Sequence, residues 1–174
     1  IAPGSPVVTV PSGPPLRTSL RSHMGGALRR RDAGTAVTLG GWVHRSRDLG
    51  GLVFLDLRDR DGLVQVSFNP EWTLPAVIAQ AAAVGVESVV LIEGTVAERP
   101  AEMRNLDLGS GEIEVRATGI TVVGPATTPV IPVAPAKDGK LPAEELRLRH
   151  RVLDLRRPEL ARNLRLRHRL MPVT

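Results

Sequence analysis

Between Ala36 and Val123 the hydrophobic period changes from two residues to 3.6 and back to two, which leaves few architectures open. The run AVTLGGWVHRSRD, 36–48, is β-branched and alternating, the pattern of a strand with one buried face. Gly40 and Gly41 within it predict a bulge or a tight bend. After Gly50-Gly51 comes LVFLDLRDR, and Asp61-Gly62 turns the chain into LVQVSF, so these two strands are expected to form a hairpin. From Thr73 to Val84 the period lengthens. Leu74, Val77, Ile78 and Ala81 fall at i, i+3, i+4 and i+7, one face of a helix. SVVLIEGTVAE, 88–98, and GEIEVRATGITVV, 111–123, read as a fourth and a fifth strand, the latter bent at Gly119. Residues 99–110 between them form a long polar loop.

Three strands, a helix and two more strands make a mainly β domain. The order is that of the OB-fold, a five-stranded Greek-key barrel with a helix between strands 3 and 4 that often binds oligonucleotides. Closure would remove the sheet edges that otherwise recruit other chains. An open α+β sheet is the alternative. Around residues 20–124, the expected barrel, the flanks differ in composition. Residues 1–19 are rich in Pro, Gly and Ser and read as a flexible tail. Residues 125–142 carry five prolines and read as a linker of extended character. Residues 143–174 read as helical, with Pro142 at the first turn of PAEELRLRHRVL and Pro158 opening PELARNLRLRHRLM.

Composition closes off several functions. Cysteine is absent, so disulfides, thiolate metal sites and a cysteine nucleophile drop out, which fits a reducing compartment. No apolar run approaches the roughly 20 residues of a membrane helix. The basic set is 21 Arg against 2 Lys, and it is segregated: +5 over residues 1–60, −7 over 61–146 and +7 over 147–174. Arginine offers a planar fork of donors to phosphates. No phosphate-cradling glycine motif is present, and His23, His44, His150 and His168 lack metal-ligand spacing. Asp59-Arg60-Asp61-Gly62 resembles the start of a calcium loop, but the twelfth position is Pro70 where a glutamate is required. Asp56, Asp59 and Asp61 are expected to form surface ion pairs with Arg58 and Arg60. No nucleophile lies beside a base, so no chemistry is expected of this chain alone.

Strand parity indicates what faces outward. Val53, Leu55 and Leu57 share one face, which leaves Phe54 outward among polar residues. Val64, Val66 and Phe68 point in, so Gln65 points out. Ile113 and Val115 point in, so Glu112, Glu114 and Arg116 point out. The chain has two Phe, two Trp and no Tyr, so an outward aromatic is a scarce item. Rings stack on bases, and amides and carboxylates read base edges.

Longer blocks carry a resemblance. GWVHRSRDLGGLVFLDLRDRDGLVQVSF, GSGEIEV at 109–115, ELRLRHRVLDLRRPELARNLRLRH at 145–168 and LRSHMGGAL at 20–28 resemble bacterial-type aspartyl-tRNA synthetase, a class II family. The resemblance implies that the barrel binds a tRNA anticodon. It puts Phe54 where a ring stacks on an anticodon base, Gln65 at a base-edge reader and Arg47 at a backbone and base contact. It puts Arg99 at a further basic contact, and Glu114 where a carboxylate reads the first anticodon base, a guanine or its modified form. Met103 stands where the family carries Asn or Gly near that base, and Ser46 where it carries a third basic residue. The implied partner is the aspartate tRNA, with the asparagine tRNA as the wider alternative. The implied setting is a cytoplasmic homodimeric ligase that uses ATP and Mg²⁺. The family's catalytic motifs, and with them the cofactor sites, do not occur up to Thr174. The chain is therefore expected to be an N-terminal portion of such an enzyme, monomeric by itself and without a cofactor. Two other readings stay open, a free-standing single-strand-binding barrel and a structural or dimerisation fragment.

Overall fold

The computed structural model describes residues 20–127, 129–134 and 140–171. The expected tail, 1–19, lies outside the described residues, as does part of the expected linker. The chain divides into two compact units, one ending at Thr127 and one beginning at residue 128.

The first unit holds β1 (Ala36–Asp48), β2 (Val53–Arg58), β3 (Leu63–Phe68), α1 (Pro75–Ala83), β4 (Val89–Glu98) and β5 (Ile113–Gly124). The strands close into a barrel in the order β1-β2-β3-β5-β4. β1 is long enough to serve two neighbours. Its first half pairs with β4, from Ala36 with Thr95 to Trp42 with Val89. Its second half pairs with β2. A short parallel pairing, Val66 with Val115 and Ser67 with Arg116, joins β3 to β5.

The predicted inward residues fill the barrel. Val53, Leu55, Val64, Val66, Phe68, Ile113 and Val115 are fully buried. α1 packs Ile78 and Ala81 against this core, with Val77 partly buried beside them. Leu74 departs from the expected helical face. It is the residue before the helix, in extended conformation, and is 70% exposed. The helix starts at Pro75, whose missing N–H costs nothing at a first turn.

The β2–β3 hairpin closes as expected, with Gly62 at φ +145°, a conformation open to glycine. Asp59, expected in a surface ion pair, instead accepts hydrogen bonds from four backbone N–H groups. Its Oδ1 takes those of Asp61 at 2.8 Å and Gly62 at 3.0 Å. Its Oδ2 takes those of Gly25 at 2.6 Å and Gly26 at 3.4 Å, which ties the segment before β1 to the hairpin. The β1–β4 ladder runs without a break through Gly40 and Gly41, so of the bulge or tight bend expected there the bulge is not at these glycines. Gly41 serves close approach, since a Cβ would stand 2.5 Å from the Arg58 carbonyl oxygen. The irregularity falls further along, between Val43 and Arg45. In β5 the register slips between Gly119 and Ala117, beside the glycine expected to bend it.

The second unit holds α2 (Glu144–Arg149), α3 (Arg151–Asp154) and α4 (Pro158–Leu170). The single helix expected from Pro142 to Leu153 is thus broken at His150 (φ −108°, ψ 46°). Buried Asp154 bridges the break. It takes hydrogen bonds from Arg147 Nε at 2.9 Å and Arg151 Nη1 at 2.8 Å. The Arg147 hydrogen bond holds the Asp154 carboxyl below the usual carboxylate range, against the opposing effect of burial. Among the described residues no helix is long and apolar enough to cross a membrane.

Candidate nucleic-acid interface

Residues directly opposite in a sheet share a face, so the registers place the outward side chains of the first unit. Arg47 lies opposite Phe54, Phe54 opposite Ser67, and Ser67 beside Arg116. That is one row across β1, β2, β3 and β5. Arg45 lies opposite Asp56 and Asp56 opposite Gln65. One more step of the parallel register sets Gln65 beside Glu114, which completes a second row.

Arg47 and Arg45 join these rows only because β1 is irregular at His44. Val37, Leu39 and Val43 are buried at every second position. Strict continuation would send Arg45 and Arg47 into the core. One extra residue reverses the parity, so that Ser46 lies opposite inward Leu55 and Arg47 opposite outward Phe54. The loop before β4 holds the irregular stretch. Val43 donates its N–H to the Ser88 carbonyl at 2.9 Å, and its carbonyl accepts from Glu87 N–H at 2.7 Å. Glu87 adopts φ +68°, rare for a residue with a side chain. Its carboxylate meets Arg58 Nη2 at 2.7 Å with both side chains largely buried. Arg58 Nη1 also lies 3.0 Å from His44 Nδ1, and its guanidinium sits 5.8 Å from the Trp42 ring. Arg58 thus pairs with Glu87, and Asp56 pairs with Arg47 at 2.8 Å. Of the expected ion pairs among these residues, Arg60 with Asp61 is observed, at 3.4 Å.

Burial first, and then the Arg58 charge, push the His44 pKa below its usual 6.5, while Asp56 and Glu87 oppose the shift. The ring can accept from Arg58 only while it is neutral. The folded pKa lies below the unfolded one, so the unfolded chain takes the proton more readily. The stability that His44 contributes is complete above pH 6.5 and is lost as the pH falls through the folded value. Thermal unfolding between neutral and mildly acidic pH should therefore cost the wild type more than His44→Gln. Equal losses would show that this contact does not sense pH.

Phe54, Gln65, Ser67, Arg99, Met103 and Glu114 line a groove of about 440 Å³ with Leu52, Asn69, Trp72 and Pro100. Arg47 completes the set. Its Nη2 donates to Asp56 Oδ1 at 2.8 Å and to Gln65 Oε1 at 3.3 Å, and its guanidinium lies 5.8 Å from the Phe54 ring. The six residues singled out in the sequence therefore fall in one place. Arg99 and Met103 arrive there through the loop after β4, which holds a short 3₁₀ turn, Ala101–Met103, and is tied by Arg99 N–H to the Glu112 carbonyl at 2.9 Å. Arg99 donates its Nη1–H to the Met103 carbonyl at 3.3 Å, and Met103 is 67% exposed. Arg99 is buried, which lowers its pKa, while the Glu114 and Asp56 charges raise it. An arginine remains a cation at neutral pH regardless. Two polar atoms lie buried by this groove without a hydrogen-bond partner, Ser67 Oγ and Arg99 Nε. Each such group costs roughly 1–3 kcal/mol while it stays unpaired. Trp72 also lines the groove, a residue that strand parity does not place. Its signal was there, in the scarcity of aromatics and the turn-forming NPEW context.

The groove offers a ring, an amide, a carboxylate and arginines, which suits single-stranded bases and their phosphates. Among the described residues no group of three His, Cys, Asp or Glu side chains could hold a metal. Residues 37–123 match the tRNA anti-codon family, described as an OB-fold nucleic acid binding domain. Over 149 residues the chain is 47% identical to the Aspartate–tRNA(Asp/Asn) ligase of Desulfotalea psychrophila, covering 86% of this chain and 24% of that one. It is 49% identical over 149 residues to the ligase of the same name from Heliobacterium modesticaldum, again covering 86% and 24%. The chain spans about a quarter of the length of these curated relatives. The aspartyl tRNA synthetase of Entamoeba histolytica superposes with a TM-score of 0.73 at 23% identity, over 86% of this chain and 35% of that one, a likeness of fold. The closed barrel, the rows on its outer face and a family match over half of the sequence agree: the chain belongs to the tRNA anti-codon family of OB-fold nucleic acid binding domains.

Proposed function

We propose that the groove binds the anticodon loop of a tRNA that accepts aspartate, as the recognition part of a longer aspartate–tRNA ligase. The observation that carries this reading is the pair of cross-strand rows. They set the Phe54 ring between Arg47 and Ser67, with Gln65 and Glu114 alongside it. In this reading Phe54 stacks on an unstacked anticodon base and Gln65 reads that base's edge. Glu114 accepts from a guanine, the base whose Watson–Crick edge offers two adjacent donors. Arg47 and Arg99 meet the backbone, and exposed Met103 borders the site of the first anticodon base. Activation of aspartate with ATP and Mg²⁺ would belong to the rest of the ligase, and no residue of this chain is assigned to it. Cytoplasmic location and homodimeric assembly are part of the same proposal for the whole enzyme.

A free-standing, sequence-tolerant barrel is the competing reading, and competition separates the two. An anticodon stem-loop with guanine at the first position should displace a labelled copy of itself far better than a loop of unrelated sequence. Glu114→Gln replaces one acceptor with a donor. It should reduce discrimination between guanine and adenine there by about 5- to 150-fold, the worth of a two-point base contact. Equal competition by every loop would favour the sequence-tolerant reading.

A further inference from the structure

Trp72 lies on the same groove as Phe54 but has no role in the reading above. It sits in a turn fastened at several points. Asn69 Oδ1 accepts the Glu71 N–H at 3.0 Å, and the Asn69 carbonyl accepts those of Trp72 at 3.0 Å and Thr73 at 2.8 Å. The buried Thr73 hydroxyl donates to the Ala117 carbonyl on β5 at 2.6 Å. The indole Nε1–H donates to the Ser67 carbonyl at 3.3 Å, so the polar edge of the ring is occupied and its orientation set. The Arg116 guanidinium lies 4.7 Å from the ring. The residue is partly exposed, on the rim of an open groove.

We infer that Trp72 and Arg116 form a second stacking platform, for a base of the same single strand that stacks on Phe54. The inference rests on the anticodon reading and extends it to a further nucleotide. Arg116 and Phe54 stand in one row, separated by Ser67 alone. Two strand spacings make about 9.6 Å. That spacing of the Phe54 and Arg116 backbones exceeds the distance of about 3.4 Å between stacked nucleic-acid neighbours, so the proposed bases are not stacked on each other. A strand laid along this row would be splayed, one base on each ring. Arg116 supplies a cation close to the connecting backbone, and Glu114 Oε1, 3.7 Å from its Nε, limits where that cation can reach. Stacking of this kind tolerates any base, because every base has a π-face. The platform would therefore add affinity and little sequence preference.

Trp72 reports on itself by fluorescence. Titration with the anticodon stem-loop should quench the emission, and Trp72→Leu should abolish most of the quench, leaving Trp42 as the remaining emitter. The same variant should bind the stem-loop about 5- to 150-fold more weakly. Trp72→Phe, which keeps a ring, should recover part of that loss. Should Trp72→Leu lower the melting temperature yet bind as the wild type, the residue is only a cover for Ser67 and the inference is overturned. A quench that persists in Trp72→Leu overturns it equally. Phe54→Ala separates this failure from that of the wider reading. If Phe54→Ala weakens binding and Trp72→Leu does not, the second platform alone is wrong. If neither substitution matters, the groove is not the anticodon site.

Discussion

Phe54→Ala is expected to weaken binding of the anticodon stem-loop by about 5- to 150-fold, the 1–3 kcal/mol carried by one base–aromatic stack. Three features make this residue the sensitive point. It stands at the middle of a cross-strand row, opposite Arg47 on one side and Ser67 on the other. Its ring lies 5.8 Å from the Arg47 guanidinium, so truncation also removes a surface that helps orient that cation. Its inward neighbours Val53 and Leu55 are fully buried and would keep their packing, so the barrel should lose little stability. Melting temperature and binding should then separate, the first nearly unchanged and the second reduced. Affinities need comparison at one ionic strength, because phosphate contacts make them fall with salt. An unchanged dissociation constant for Phe54→Ala would remove the main support for the anticodon reading.

The largest effect on stability is expected from Arg58→Met. Breaking a buried pair by removing one partner costs about 3–5 kcal/mol, because the other charge keeps its desolvation penalty. Glu87 has 4% of its side chain exposed and meets the Arg58 guanidinium at 2.7 Å. Arg58 also touches His44, the residue at which β1 changes parity. The substitution should therefore loosen the stretch that aims Arg45 and Arg47 outward. Binding should fall even under conditions where the variant remains folded. The double variant Arg58→Met/Glu87→Gly tests the cause. It removes the buried carboxylate and puts glycine at φ +68°, where a side chain is disfavoured. Urea unfolding should show the double variant more stable than the single one. A cost below about 1 kcal/mol for Arg58→Met would mean that this pair behaves like an exposed one.

Much of the site could be read without coordinates because it rests on local parity. In β2, β3 and β5 the inward valines, leucines and isoleucines fix the opposite side chains as outward, and Phe54, Gln65 and Glu114 follow. β1 could not be read that way. Its alternation gives the wrong face for Arg47, and the extra residue at His44 leaves no mark in the hydrophobic pattern. Only the family resemblance pointed to Arg47 in the sequence. Arg99 and Met103 rest on the same ground. Their place depends on a loop folding back, with Asn105 N–H donating to the Gly111 carbonyl at 3.1 Å. Leu74 shows the converse limit. It fits a helical period, yet the helix begins one residue later, because a first-turn proline marks the start more strongly than the spacing.

By itself the sequence determined the strand and helix order, the inward and outward faces of three strands and the cluster of arginines available for phosphates. Each of these depends on neighbours within a few residues, where backbone geometry alone sets which side chains share a face. The tertiary structure decided what depends on segments far apart in the chain. It paired β3 with β5 in parallel, which brings Gln65 and Glu114 together. It bound Asp59 to Gly25 and Gly26, and it set Arg147 against Asp154 across the break at His150. It also turned Trp72 onto the Arg116 side of the groove. Such contacts form only when closing the barrel lets long-range hydrogen bonds and burial offset the entropy of bringing distant residues together, and no local pattern encodes that balance.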